Sequence, residues 1–276
     1  MTVNQLLKNA ADILSRAGIE NALNEARWIF EACFENGREL MFFGGNEEID
    51  PGAYPERISE RAGGRPLQYV IGAWDFFGEE FSVGEGVLIP RPETEMLVEF
   101  AREYLKDKKN SVVVDLCAGS GCIGITAARL FPGSKVYLVE KSEEALHYLR
   151  KNVENSGCPN ITVIKGDAFL SPAENGIPEF DLLLSNPPYI PSGELVLLQN
   201  EVRREPEMAL DGGKDGLDFY RVIAEKWLPC CKGAVCIECG EGQTEEIEKI
   251  FSRYCKETYP QRDFRNVLRT VCGIIR

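Results

Sequence analysis

Apolar side chains recur at helical spacing near the start of the chain. Between residues 4 and 35, two stripes repeat at intervals of three and four residues, and they end at Gly18 and Gly37. This spacing predicts two amphipathic helices whose apolar faces form a small core. A further helix is expected from about Pro55 to Ala62, where a Gly-Gly pair follows.

The pattern changes at residues 67–90, where aromatic and aliphatic residues are broken by glycines. This pattern predicts a β-hairpin. Pro90 and Pro92 follow, and because proline disfavours α geometry in the residue before it, we expect an extended bridge. A helix is then expected over residues 95–105. These patterns divide the chain into a helical domain, a hairpin with its linker, and a larger domain, with bounds 1–67, 68–94 and 95–276.

From residue 111 onward, apolar runs alternate with amphipathic stretches. The predicted strands are residues 111–115, 135–140, 161–165, 180–185 and 234–238. Helices are expected near residues 121–130, 143–155 and 217–227. The first four runs are almost continuously apolar, as in a sheet covered on both faces. The alternation predicts an α/β fold with a doubly wound parallel sheet, and the apolar tail predicts one or two further strands.

Composition limits the class of protein. The chain has 276 residues, of which 44% are hydrophobic and 27% charged, as is typical of a globular protein. Apolar runs are shorter than the ~18 residues of a membrane span, and no secretory signal is evident. We therefore expect a cytoplasmic protein with no membrane partner. The net charge of −13 argues against general nucleic-acid binding, since Lys and Arg must replace the counterions of the phosphates.

A glycine-rich turn follows the first strand of the predicted sheet. It consists of Cys117, Ala118, Gly119, Ser120 and Gly121. Glycines permit a tight turn and let a ligand approach the backbone closely. Glu140 ends the next strand, about 20 residues later, where a carboxylate can accept hydrogen bonds from ribose hydroxyls. Together these features predict a nucleoside-containing ligand, and the alternative is a glycine turn that binds nothing.

Asp115, at the end of the first strand, favours one class of nucleoside. Its carboxylate would repel the pyrophosphate that a dinucleotide loop holds. S-adenosylmethionine has an ammonium, a sulfonium and no phosphate, so Asp115 is expected to face its amino acid part and Glu140 its ribose. Asp167 follows the third strand and is expected beside the adenine amine. The alternative for Asp167 is a turn residue that caps backbone amides.

The most specific motif is Asn186-Pro187-Pro188-Tyr189, at the end of a buried strand. The two prolines fix their φ angles and lack N–H groups, so a rigid corner presents the Asn186 side-chain oxygen and the Pro187 carbonyl as acceptors. Two converging acceptors can hold a planar NH2 group and stabilise positive charge that grows on its nitrogen during methyl transfer. The alternative is a Pro-Pro loop that only ends the strand.

This tetrad resembles that of class I amino methyltransferases, which include DNA adenine methylases and HemK-type glutamine methyltransferases. Residues 64–72, residues 88–95 and the loop at 205–217 narrow the resemblance to the HemK type. The resemblance covers nearly the whole chain. This sequence departs from the family pattern at Cys117-Ala118, where glycine and threonine are commoner, and at Ala168, where some relatives have a large aromatic residue.

The resemblance implies a Rossmann-like class I methyltransferase with an N-terminal helical domain joined by a β-hairpin. It implies methylation of the glutamine amide in the Gly-Gly-Gln motif of class I peptide chain release factors, with S-adenosylmethionine as donor. By position, the cofactor would contact Cys117 to Gly121, Glu140, Asp167, Ala168 and Asn186. The glutamine would be held by Asn186, Pro187, Pro188 and Tyr189, of which Asn186, Pro187 and Tyr189 are the expected catalytic residues.

Further expectations follow from the same resemblance. Arg91 and Thr94 would help close the site, and the N-terminal domain would bind the release factor. Two alternatives remain open: an adenine amino methyltransferase acting on DNA, against which the charge of −13 weighs, and a non-catalytic module that binds release factors. No stable nucleic-acid binding is expected.

Cysteine and histidine do not predict a metal site. Cys231, Cys236 and Cys239 match part of an iron–sulfur spacing. Residues three apart on a strand point to opposite faces, however, so buried thiols are expected instead. His147 is the only histidine and is expected to be an ordinary helix residue.

Overall fold

The computed structural model describes residues 1–276. The chain forms two compact units. The first consists of Met1–Ala73 with Gln199–Arg204, and the second of Trp74–Leu198 with Glu205–Arg276. None of the helices combines the length and the apolar character needed to cross a membrane.

The first unit is a helical bundle. Its helices are α1 Val3–Arg16, α2 Ala22–Cys33, α3 Gly37–Phe43, α4 Tyr54–Ala62 and α5 Leu67–Ile71. The three helices predicted from periodicity are confirmed as α1, α2 and α4. Their apolar stripes meet in a core that includes the fully buried Leu14, Ile29 and Phe30. A buried ion pair joins Arg61 to Glu25 at 2.5 Å.

The hairpin is shorter than the sequence predicts. Its strands are β1 Ala73–Phe76 and β2 Glu79–Ser82. The prediction of β structure over residues 67–90 is wrong at both ends, because Leu67–Ile71 is helical and residues 83–91 form no strand. A short apolar run can bury as a helix or as a strand, and here Gly72, with φ of +87°, ends a helix before the hairpin begins.

The second unit is built on a seven-stranded sheet. Its strands are β3 Val112–Leu116, β4 Lys135–Glu140, β5 Ile161–Lys165, β6 Phe180–Ser185, β7 Cys231–Glu238, β8 Cys255–Arg262 and β9 Leu268–Ile275. The strand order is β5-β4-β3-β6-β7-β9-β8. The first five strands in this order are parallel, whereas β9 pairs antiparallel with β7 and β8. The predicted doubly wound parallel sheet is confirmed, with two further strands at the tail.

Helices cover both faces of this sheet. They are α6 Glu95–Leu105, α7 Cys122–Leu130, α8 Glu143–Ser156, α9 Asp218–Val222, which continues as a π-turn at Ile223–Trp227, and α10 Thr244–Phe251. Short 3₁₀ turns occur at Pro92–Thr94, Ser192–Leu197, Val202–Arg204, Glu207–Ala209 and Leu228–Cys230. One buried core lies under α6, α7 and α8, and a second under α9 and α10. Cys236 belongs to the first core and Cys239 to the second, as residues three apart on a strand should.

The order of the strands places a crevice at one edge of the sheet. After β3 the chain crosses to β4 and β5 on one side, and it then returns to β6 on the other side of β3. In open α/β sheets, ligands bind at such a switch point, outside the carboxyl ends of the strands. The glycine turn, Glu140, Asp167 and Asn186 all follow the carboxyl ends of strands on either side of it.

Candidate active site

A cavity opens at the carboxyl ends of β3, β4, β5 and β6. Among the predicted site residues, its wall contains Cys117, Ala118, Gly119, Ser120, Glu140, Asp167, Ala168, Asn186 and Pro188. Asp115, Gly121, Pro187 and Tyr189 do not line it. The linker residues Arg91 and Thr94 do, so the structure brings together groups that the sequence places far apart.

The glycine turn leaves room beside its backbone. Gly119 has φ of +56°, and a Cβ atom placed on it would meet nothing closer than Val87 at 4.0 Å. At Gly121, with φ of +83°, a Cβ would instead lie 2.9 Å from Ile125. Cys117 also has a positive φ, of +62°, a conformation that is costly for a residue with a side chain. The turn is therefore closed toward α7 and open toward the cavity.

Glu140 holds the glycine turn against β4. One carboxylate oxygen accepts from the backbone amide of Gly119 at 2.8 Å. The other accepts from the amides of Lys141 and Ser142, each at 2.8 Å. Since these bonds fix the carboxylate in the cavity wall, its remaining lone pairs can accept hydrogen bonds from a ligand hydroxyl.

Asp115 lies beneath the turn and not in the cavity wall. It is fully buried, and its Oδ2 accepts from the amide of Gly124 at 2.9 Å. Its Oδ1 is buried without a hydrogen-bond partner. Burial raises the pKa of Asp115 to about 8, against the lowering effect of the Gly124 amide. The structure does not place this carboxyl where it contacts a ligand in the cavity directly.

Asp167 caps a turn, which is one of the two roles considered for it. Its Oδ1 caps the turn by accepting from the amide of Phe169 at 2.9 Å, and its Oδ2 pairs with the Lys141 ammonium at 2.9 Å. The residue also lines the cavity. Partial burial favours the neutral form, but Lys141 and the Phe169 amide outweigh it and hold the pKa of Asp167 below its usual range.

Two phenylalanines supply the aromatic surface that Ala168 lacks. Ala168 is buried, and its carbonyl accepts from the Trp227 indole at 2.8 Å. Phe169 and Phe219 both line the cavity, with ring centroids 5.1 Å apart in an edge-to-face arrangement. The sequence analysis missed both residues. Phe169 could have been found as an aromatic residue one position after the expected one, whereas no local signal identifies Phe219.

The Asn186-Pro187-Pro188-Tyr189 corner is tied to its surroundings by polar contacts. The hydroxyl of Ser185 donates to the carbonyl of Leu116 at 2.6 Å, which joins the ends of β6 and β3. Asn186 donates through Nδ2 to the hydroxyl of Thr94 at 3.1 Å. This bond uses one of the two Nδ2 hydrogens and turns the amide so that Oδ1 can accept from a substrate.

The loop after the tetrad packs directly on its backbone. A Cβ on Gly212 would lie 2.7 Å from the Cα of Tyr189, so only glycine allows this approach. Glu205 lies earlier in the same loop and is buried. It accepts from the Arg91 guanidinium at 2.5 Å and from the Ile89 amide at 3.1 Å. This pair holds the linker at residues 88–91 against the loop, and both segments line the cavity.

Glu238 is a buried acid that the sequence analysis assigned no role. It ends β7, beside the strand that carries the tetrad, and only 2% of it is exposed. The Thr94 hydroxyl donates to its Oε2 at 2.5 Å, and the Tyr189 hydroxyl makes a longer contact of 3.4 Å to its Oε1. Burial raises the pKa of Glu238 to about 7, although these two hydrogen bonds act in the opposite direction.

Comparisons with known proteins identify both parts of the chain. A family model described as Methyltransferase small domain matches residues 93–213, and one described as PrmC N-terminal domain matches residues 5–72. The catalytic domain of hMettl16, solved with a MAT2A 3'UTR hairpin, is 16% identical with a TM-score of 0.57, covering 79% of this chain and 81% of that one. This likeness shows a shared fold.

Relatives named Release factor glutamine methyltransferase match over most of the chain. The protein from Geobacter sulfurreducens is 37% identical over 99% of this chain and 97% of its own. The protein from Moorella thermoacetica is 34% identical over 91% of this chain and 89% of its own. The expected fold class and the expected class of enzyme, a methyltransferase, are confirmed. The chain belongs to the release factor glutamine methyltransferase family.

Proposed function

We propose that this protein methylates the side-chain amide nitrogen of the glutamine in the Gly-Gly-Gln motif of class I peptide chain release factors in the cytoplasm. S-adenosylmethionine is the proposed donor. The observation that carries the proposal is the orientation of Asn186, whose Nδ2 is engaged by Thr94 so that Oδ1 remains to accept from a substrate amide. Membership of the family supports the choice of substrate.

The residues of the cavity fit S-adenosylmethionine. The open space beside Gly119 admits a ligand close to the backbone, and the Glu140 carboxylate is fixed where it can accept from ribose hydroxyls. Asp167 can accept from the adenine amine, while Phe169 and Phe219 offer apolar surface for the ring. When bound, this cofactor supplies an electrophilic methyl group on a sulfonium, a cation that suits a wall with two carboxylates and no phosphate-binding lysine or arginine cluster.

In this proposal the nucleophile is the substrate amide nitrogen, and the Asn186-Pro187-Pro188-Tyr189 corner holds it. An amide nitrogen is a poor nucleophile because its lone pair is delocalised into the carbonyl. The Oδ1 of Asn186 and the Pro187 carbonyl accept from the two amide hydrogens, which orients the lone pair and stabilises the positive charge that grows on the nitrogen. A preorganised polar partner of this kind typically contributes ~10²–10³ in rate.

We further propose that the N-terminal helical domain, residues 1–67, binds the release factor, and that residues 68–94 connect it to the methyltransferase domain at 95–276. A family model separate from that of the methyltransferase domain matches this part of the chain, which supports a distinct role. Arg91 then helps to close the site through its pair with the buried Glu205.

The test is a methylation assay with labelled S-adenosylmethionine and an unmethylated class I release factor. We expect label on the glutamine of the Gly-Gly-Gln motif and none on a matched release factor in which that glutamine is replaced by alanine. Label on both proteins would contradict the assigned position. Duplex DNA in a parallel reaction tests the adenine methyltransferase alternative, and label there alone would overturn the proposal. A release factor that binds tightly without becoming labelled would favour the non-catalytic alternative.

A further inference from the structure

Glu238 lies next to the tetrad, and its carboxyl group is buried without an ion-pair partner. Burial of a carboxyl group costs free energy unless it is hydrogen-bonded or paired. The Glu238 carboxyl group contacts two neutral donors, the hydroxyls of Thr94 and Tyr189. Arg269 acts on it electrostatically but makes its ion pair with Asp263, at 3.3 Å. Glu238 is thus a strong acceptor that has no charged partner in contact.

The contact with Thr94 has a defined direction. The Thr94 hydroxyl donates its single proton to Oε2 of Glu238 at 2.5 Å, and Oε2 can accept it both when the carboxyl is ionised and when it carries its proton on Oε1, toward Tyr189. Toward its other neighbour, that hydroxyl can then only accept. The neighbour is the Asn186 amide, whose donor is Nδ2, at 3.1 Å. The direction of one hydrogen bond therefore determines the direction of the next.

This chain of contacts determines which face of the Asn186 amide meets the cavity. With Nδ2 turned to Thr94, the amide keeps Oδ1 for a ligand. In the flipped orientation, Nδ2 would meet the NH2 group of the substrate, so that two donors would face each other and the acceptor would be lost. The carbonyl of Pro187 alone would then hold the amide.

We propose that Glu238 is a positioning residue which, through the Thr94 hydroxyl, fixes the Asn186 amide with Oδ1 directed to the substrate. The proposal rests on the function proposed above, because it concerns the same site. Glu238 itself lies outside the cavity wall. Its effect passes through one hydroxyl, so the loss of that hydroxyl and the loss of the carboxylate should have the same consequence.

The experiment compares four single variants and one double variant in the full chain. Thr94→Val removes the hydroxyl at nearly constant shape, and Glu238→Leu removes both acceptor oxygens at similar size; the double variant combines these two substitutions. Thr94→Ser keeps the hydroxyl and is the conservative rescue. Tyr220→Phe is the matched control, because the Tyr220 hydroxyl donates to the backbone carbonyl of Glu238 at 3.0 Å and not to its carboxylate.

For Thr94→Val and Glu238→Leu we expect kcat with a release factor to fall by about 10²-fold, as for a misplaced catalytic group, with the KM for S-adenosylmethionine unchanged. The double variant should lose no more than either single variant, since both break one chain of contacts. Thr94→Ser should keep most of kcat. Tyr220→Phe should lower thermal stability while kcat stays at the wild-type value. Additive losses, or wild-type kcat in Thr94→Val, would overturn the proposal.

A second readout does not depend on catalysis. The side-chain amide of Asn186 gives a pair of ¹H–¹⁵N signals in NMR spectra. These signals are assigned by their absence from the spectrum of Asn186→Asp. We expect Thr94→Val and Glu238→Leu to shift this pair in the same direction, and Thr94→Ser and Tyr220→Phe to leave it near the wild-type position. An unshifted pair in Glu238→Leu would overturn the proposal. If the wild-type enzyme fails to label any release factor, the proposed function fails, whereas the NMR comparison still decides the role of Glu238.

Discussion

At the scale of single residues, the acidic groups around the cavity differ in how their charge is satisfied. Glu140 accepts from three backbone amides, and Asp167 has a lysine and an amide as partners. Asp115 has one amide and a buried oxygen without a partner. Burial raises the pKa of Asp115 to about 8. The two acids with several polar partners, Glu140 and Asp167, line the cavity, whereas Asp115 and Glu238 lie outside its wall.

Asn186→Ala tests the most important side chain of the corner. We expect kcat for release factor methylation to fall ~10²–10³-fold, because one of the two acceptors for the substrate amide is lost. Steady-state transfer of labelled methyl groups measures this. Asn155→Ala serves as the control, since Asn155 is an exposed residue of α8. Full activity in Asn186→Ala would mean that this side chain does not hold the substrate.

At the scale of secondary structure, the glycine turn and α7 act together. Gly121 begins α7 in the left-handed conformation, and the space beside it is filled by side chains of α7 and α8, Ile125 and Leu149. The turn therefore cannot move toward these helices. Its backbone amides and the open space beside Gly119 therefore face the cavity.

Gly121→Ala should lower the free energy of unfolding of the whole enzyme. The backbone conformation alone costs an alanine about 1–2 kcal/mol, and contact with Ile125 adds to this. Denaturant unfolding followed by circular dichroism measures the change. Gly133→Ala is the control, because a Cβ there meets nothing within 4 Å. Equal stability of the two variants would contradict the account of the turn given above.

Local sequence pattern predicts the elements that carry their own signal. The strands β3 to β6 are almost continuous apolar runs, and the glycine turn and the tetrad have fixed residue types, so all were predictable. Leu67–Ile71 was not, because a run of five residues is too short to show a distinguishing period. The contacts of Glu238 leave no local pattern at all, since Thr94 lies 144 positions away along the chain. Only the fold brings these two residues together.

At the scale of the whole molecule, two buried acids make stability depend on pH. The pKa is raised to about 8 for Asp115 and to about 7 for Glu238, whereas both ionise near pH 4 in an unfolded chain. Between these values, the folded state keeps protons that the unfolded state has released. The free energy of unfolding contributed by these groups therefore falls as pH rises from about 4 to about 8 and is constant above that range.

Asp115→Asn should flatten this dependence, since the amide has no proton to release in that range. We expect the variant to gain stability relative to wild type as pH rises between about pH 5 and pH 8. Urea unfolding at several pH values gives the two curves. Asp12→Asn, at an exposed position of α1, controls for the change in net charge. Parallel curves for wild type and Asp115→Asn would show that Asp115 does not hold a proton in the folded state.

The separation of Thr94 from Glu238 has a consequence for the way the enzyme is made. The glycine turn and Glu140 belong to β3, β4 and the segments that follow them, a continuous stretch of chain that leaves the ribosome early. Glu238 is synthesised 144 residues after Thr94. Since synthesis proceeds from the N-terminus, a nascent chain completes the glycine turn well before Glu238 can act on Asn186 through Thr94. A chain that stops before β7 lacks the group that directs Asn186 toward the substrate, even where its glycine turn is intact.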